Sequence, residues 1–159
     1  MHRPTLPARH RLVVVASSAH TYSDINLTDP WFKGEQAYDP FLAYGRSKTA
    51  NILFGLEVAR RGGEVVCLDP GTIGTTGLGR ELGKEVREGL RVQYRDLMKT
   101  AEEGAGVLIV AALDEGLEGK GEYLIDCRVG EPLGWARDGE SAWKLWKWSE
   151  EMVREKFEY

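Results

Sequence analysis

Every residue from Leu12 to Ala16 is apolar, and three consecutive valines fill its centre. A strand with one wet face alternates apolar and polar residues. A run without alternation predicts a strand covered on both faces, the arrangement of parallel sheets sandwiched between helices. Arg11 to Ser17 is therefore the first expected strand, and Glu64 to Leu68 and Gly121 to Cys127 are two more of the same kind. Parallel strands need long crossovers, and the intervening segments supply helices.

The first crossover begins with a long polar stretch over 18–38, followed by Asp39-Pro40. A carboxylate at the N-cap and a proline at the first helical position predict a helix from about Pro40 to Arg61. Its core face carries Leu42, Ile52, Leu53, Leu56 and Ala59, and Gly62 marks its end. A glycine-rich loop follows the second strand. An amphipathic helix is expected near 80–98, with Leu82, Val86, Leu90, Tyr94 and Leu97 on one side. Thr100 and Glu103 form a capping-box pattern for a helix through Leu113. Residues 140–157 form a last helix with Trp143, Trp146, Glu150, Val153 and Phe157 at helical spacing. Its tryptophans read as packing or as a partner-binding stripe. Residues 1–10 read as an irregular arm.

At 159 residues the chain suits one domain, which would bury roughly 70% of its unfolded surface. Its 21 basic and 25 acidic residues form no basic patch, so no nucleic-acid partner is expected. The longest apolar stretch, Val107 to Leu113, is too short for a bilayer. No signal peptide is expected from the polar start. Cys67 and Cys127 have neither disulfide-framework nor metal spacing, which points to a reduced, cytoplasmic setting.

Tyr44 and Lys48 are four positions apart on the first helix, and so share a face. A nearby ammonium stabilises a phenolate and moves the phenol toward the working range of general acid–base catalysis. Ser17, at the end of the first strand, offers a hydroxyl to polarise a substrate oxygen. The same spacing equally describes a half-buried ring beside a solvated cation.

Ordered motifs separate these readings. Arg11 to His20 resembles the serine strand of the short-chain dehydrogenases/reductases, and Ala43 to Phe54 their Tyr-x-x-x-Lys helix. Asp69-Pro70-Gly71-Thr-Ile-Gly-Thr75 is similar to their Pro-Gly-x-x-x-Thr loop. Lys99 to Ala105, Tyr123 to Cys127 and Lys144 to Ser149 match the following helix start, the last strand and the final helix. The chain thus resembles the C-terminal half of a member of the retinol-dehydrogenase-like group.

The resemblance implies an oxidoreductase interconverting a lipophilic alcohol and its carbonyl compound, with NADP or NAD as cofactor. Tyr44 would exchange the proton, Lys48 would lower its pKa and hold the ribose hydroxyls, and the catalytic serine falls on Ser17. Pro70, Gly71 and Ile73 would line the nicotinamide, with Thr75 near its carboxamide. His20 reads as a supporting loop residue and not as a catalyst.

The family's first glycine turn, its cofactor-selecting residue and its Asn-Ala-Gly strand have no counterpart in the chain. Gly71, Gly74, Gly77 and Gly79 lack the Gly-x-Gly-x-x-Gly spacing and read as a substrate-side loop. The expected fold is a partial Rossmann-like doubly wound parallel sheet lacking the N-terminal nucleotide-binding strands, with 1–159 as one domain. The isolated chain is then expected to be inactive, with the apolar edge at Leu12 to Val15 a route to homo-oligomers. The alternative is a catalytically incompetent truncated relative acting as an interaction module.

Overall fold

The computed structural model describes residues 10–157. The arm expected at 1–10 lies, apart from His10, outside them. Six strands are formed: β1 (Leu12–Val15), β2 (Val65–Asp69), β3 (Thr72–Ile73), β4 (Met98–Lys99), β5 (Lys120–Ile125) and β6 (Arg128–Gly130). The helices are α1 (Pro40–Arg60), α2 (Lys84–Gln93), α3 (Ala101–Leu113) and α4 (Gly139–Val153).

The main sheet has the order β1-β2-β5-β6, with β1, β2 and β5 parallel. β3 and β4 pair separately. Helices cover both faces, an α/β arrangement consistent with a Rossmann-like fold. On one face Val66, Leu68 and Leu124 pack against Val107 and Ala111 of α3. On the other, Cys67 and Tyr123 meet Ile52 of α1, while Val65 joins Val58 of α1 and Trp146 of α4. β2, central and buried at all five residues, shows what the unbroken apolar pattern anticipates.

Two expectations about the sheet need correction. It is mixed, because β6 returns antiparallel to β5 through a turn in which Asp126 and Cys127 both have positive φ. Cys127 therefore lies in an exposed turn and not in a strand. β1 is the expected edge strand, but Leu12 and Val15 are exposed, so helices cover its faces only in part. Its start is anchored by Arg11, which pairs with Glu64 at 3.1 Å. The same guanidinium donates to the carbonyls of Ala111, Asp114 and Leu117 at 2.7–3.2 Å.

The helix ends follow their capping chemistry. Asp39 Oδ1 accepts from the N–H groups of Phe41 and Leu42, and Pro40 starts α1. The Thr100–Glu103 capping box starts α3. α2 is shorter than expected and buries none of its residues. It is preceded by Gly79 and Gly83, and its N-cap Gly83 supplies no side-chain cap, so the helical pattern cannot extend toward residue 80. A phenol–phenol hydrogen bond of 3.0 Å ties Tyr94, at its C-cap, to Tyr22. No helix among the described residues is long and apolar enough to cross a membrane.

α4 ends at Arg154, in the left-handed region, shorter than the expected helix. Its inner face buries Glu150, which accepts from Lys147 Nζ at 2.9 Å, Trp146 Nε1 at 3.0 Å and the Phe157 N–H at 3.1 Å. Lys147 and then the Phe157 N–H, against the opposing effect of burial, hold its carboxyl down to about 2. A carboxylate lowered by folding stabilises fully above its unfolded pKa of about 4.3, and that stabilisation fades as pH falls toward 2. Wild-type melting temperature should therefore decline through that window. Glu150→Gln should start lower and decline less, as thermal melts at several pH values would show; parallel curves would count against this role.

Candidate active site

Parallel strands bring their carboxyl ends to one edge, where open α/β sheets place ligands. α1 runs back across that edge. Gly55 lies over Val65 and Cys67, and the Asn51 carbonyl faces Cys67 Sγ at 3.9 Å. One turn earlier, Lys48 Nζ donates to the Val15 carbonyl at 3.2 Å, and Asn51 Nδ2 donates to the same oxygen at 3.0 Å. Helix and strand are locked at the end of β1. Gly45 permits the next step: a Cβ there would lie 2.9 Å from both the Ala19 carbonyl and Tyr22 Cβ. That close approach sets Tyr44 beside the segment that follows β1.

Ser17 caps the short 3-10 turn Ser18–Tyr22, accepting from the Ala19 N–H at 3.1 Å. Its hydroxyl is close enough to the Tyr44 phenol to lower its pKa. The Tyr44 ring lies beside Lys48, whose Nζ is 5.3 Å from the ring centroid. The three residues singled out in the sequence thus come together. Their electrostatics differ from the expected pattern. Burial pushes the Tyr44 phenol above its ordinary range, Ser17 opposes this, and the Asp69 carboxylate adds to it. Burial likewise lowers Lys48, against Asp69, which favours its ammonium. The resting phenol is a protonated donor.

His20 is the supporting residue that the sequence suggests, but its long-range partners have no sequence signal. The ring is buried and its Nε2 accepts from the Leu133 N–H at 3.1 Å. Nε2 therefore carries no proton, and Nδ1–H donates to the Ser17 carbonyl at 2.8 Å. The His20 carbonyl accepts from Thr49 Oγ1 of α1 and from Trp135 Nε1, each at 3.1 Å. One ring nitrogen thus holds the backbone at Ser17 and the other ties it to Leu133. No pattern in the local sequence signals this arrangement, because its partners lie 113 and 115 residues away.

The loop after β2 carries the other expected residues. Asp69 Oδ1 accepts from the Gly71 N–H at 3.0 Å, and Gly71 has a φ of +83°. Beyond Pro70 and Gly71, Ile73 packs so tightly on Gly104 of α3 that a side chain there would clash with it. Thr75 lines a cavity of about 730 Å³ with Gly74, Arg91, Met98, Lys99 and Thr100. Tyr44 and Lys48 do not line that cavity. Lys99 forms an ion pair with Asp126. A lysine ammonium has three N–H donors, so Lys48 can hold ribose hydroxyls while it donates to Val15. Among the described residues no cluster of His, Cys, Asp and Glu could hold a metal ion.

No family model matches the chain. It is 40% identical over 153 residues to retinol dehydrogenase 14 of Homo sapiens, covering 92% of this chain and 45% of that protein. It is 39% identical over 143 residues to polyprenol dehydrogenase of Mus musculus, covering 86% and 42%. Among solved structures, an uncharacterised protein from Mycobacterium paratuberculosis superposes with a TM-score of 0.57 at 28% identity. That match covers 94% of this chain and 52% of the other. The chain spans about half the length of the curated relatives it matches.

Proposed function

Because the chain is a relative of the retinol-dehydrogenase-like short-chain dehydrogenases/reductases, we propose that it is an NAD(P)-dependent oxidoreductase interconverting a lipophilic alcohol and its carbonyl compound. The observation that carries this reading is the meeting of Ser17, Tyr44 and Lys48 at the carboxyl edge of the sheet.

In the reducing direction each residue has a distinct task. The Ser17 hydroxyl orients the carbonyl oxygen and polarises it. Tyr44, kept as a phenol by burial, donates its proton to that oxygen as negative charge develops there. The Lys48 ammonium lies beside the ring and favours the phenolate left behind. A bound nicotinamide supplies the hydride in this direction and accepts it in the reverse. Lys48 would hold its ribose hydroxyls, with Pro70, Gly71, Ile73 and Thr75 along its ring. His20 keeps the serine backbone fixed throughout.

These residues meet only the nicotinamide end of a dinucleotide, and the sequence offers no glycine turn of fingerprint spacing for the pyrophosphate. Inactivity at micromolar NADH or NADPH is therefore expected for the isolated chain, and the test belongs at millimolar cofactor. Purified chain, retinal as the probe aldehyde and either cofactor should give slow oxidation of the nicotinamide. Rates should keep rising with cofactor concentration through the millimolar range. Absence of both turnover and cofactor binding by fluorescence at those concentrations would sink the proposal.

A further inference from the structure

Asp69 is the last residue of β2 and buried, with 6% of its surface exposed. Side chains alternate along a strand, so Asp69 shares the α1 face with Val65 and Cys67. The facing residues of α1 run in the opposite order: Gly55 lies against Val65 and Cys67, and Asn51 against Cys67. Continued by one turn, this register sets Lys48 opposite Asp69, and a further turn brings Tyr44 to the end of β2. Lys48 supports it independently, since its ammonium binds the carbonyl of Val15, whose register partner on β2 is Leu68.

We infer that Asp69 is a positioning residue of the site: its buried carboxylate lies beneath Tyr44 and Lys48 on the α1 face of β2 and acts on both. This rests on the oxidoreductase reading and adds to it a determinant of the pH at which the proton is released. No described cation forms a close ion pair with Asp69, and its Oδ1 is committed to the Gly71 N–H. Its charge raises the Tyr44 phenol and the Tyr123 phenol and favours the Lys48 ammonium.

The other titratable or polar groups around the site lie on several parts of the fold. Ser17 follows β1, and Lys48 shares α1. Tyr22 lies in the 3-10 turn, where its hydrogen bond to Tyr94 raises it to about 12, so it is neutral across the useful range. Tyr123 on β5 is raised chiefly by burial and is also neutral. The neighbouring Lys99 and Asp126 pair with each other. Of the charged groups, Asp69 is the one that raises the Tyr44 phenol, adding to the larger effect of burial.

The test requires neither cofactor nor substrate. In chain labelled with ¹³C at the tyrosine ring carbon bearing oxygen, the Tyr44 signal is identified by its loss in Tyr44→Phe. Asp69→Asn retains an acceptor for the Gly71 N–H but removes the charge. Its Tyr44 midpoint should move to lower pH, and the tyrosinate fraction at a fixed pH below the midpoint should rise roughly tenfold. Asp69→Glu should titrate near wild type, and Tyr22 should be unmoved in all variants. If Asp69→Asn fails to fold, Asp69→Ser provides the same comparison. An unchanged Tyr44 midpoint in the folded neutral variant would overturn the inference. A shifted midpoint in a chain without turnover would overturn the oxidoreductase reading but leave the electrostatic assignment. Where turnover is measurable, the alkaline limb of kcat/KM for carbonyl reduction should move to lower pH in Asp69→Asn. A general loss of packing would lower kcat/KM without moving that limb.

Discussion

Replacing Tyr44 by phenylalanine should cut whatever carbonyl turnover the chain sustains by about 10²–10⁴-fold, the usual worth of a positioned general acid. The change removes the transferable proton and leaves the ring. Ser17 and Lys48 keep their own anchors, because the serine oxygen still accepts from Ala19 and the ammonium still donates to Val15. Stability should fall by no more than about 1 kcal/mol, the usual worth of one side-chain hydrogen bond. Steady-state rates and a urea melt of the same preparation would separate the two effects. A variant with wild-type turnover would exclude Tyr44 as the donor, and one that unfolds would show the phenol to be structural.

Trp146→Ala should be the most damaging stability change, costing about 3–5 kcal/mol. Domains of this kind have only about 5–15 kcal/mol in total. The indole is 5% exposed and stacks on Phe54 with ring centres 5.7 Å apart. Phe157 meets it edge-on at 6.4 Å, and the Arg61 guanidinium lies 4.3 Å from its ring centre. Truncation would open a cavity between α1 and α4 and remove a donor from Glu150. Trp143, half-exposed one turn away, provides the comparison: its alanine variant should cost less than about 0.5 kcal/mol. Equal costs in urea unfolding would mean that the helix packs through the other stripe.

The residues near each element largely determine how legible it was. Asp39-Pro40 and the Thr100–Glu103 box act over a few positions, and α1 and α3 start where those signals place them. The apolar runs located the three parallel strands to within a residue or two at their starts. β6 was missed because its turn is Asp126-Cys127, two positive-φ residues without the glycine that usually advertises such a hairpin. α2 was drawn too long because its apolar spacing continues past Tyr94, whereas the backbone tightens there into a 3-10 turn. Periodicity placed Tyr44, Lys48 and Ser17 on neighbouring elements, but only the family resemblance singled them out as a site. Asp69 was read only as the start of a Pro-Gly turn, although its position two residues after Cys67 already placed it on the α1 face. His20 was legible as a supporting loop residue, but its partners Leu133 and Trp135 were not.

The His20 contacts also bear on the order in which the molecule can be assembled. The tyrosine helix and the strand beneath it belong to the first half of the chain and can find each other early. The backbone at Ser17 is fixed only when Leu133 and Trp135 reach His20 across more than a hundred residues, closures that are slow in conformational search. Proton-transfer geometry should thus be among the last features to mature during refolding. A collapsed intermediate could hold every candidate residue and still be unable to perform the chemistry.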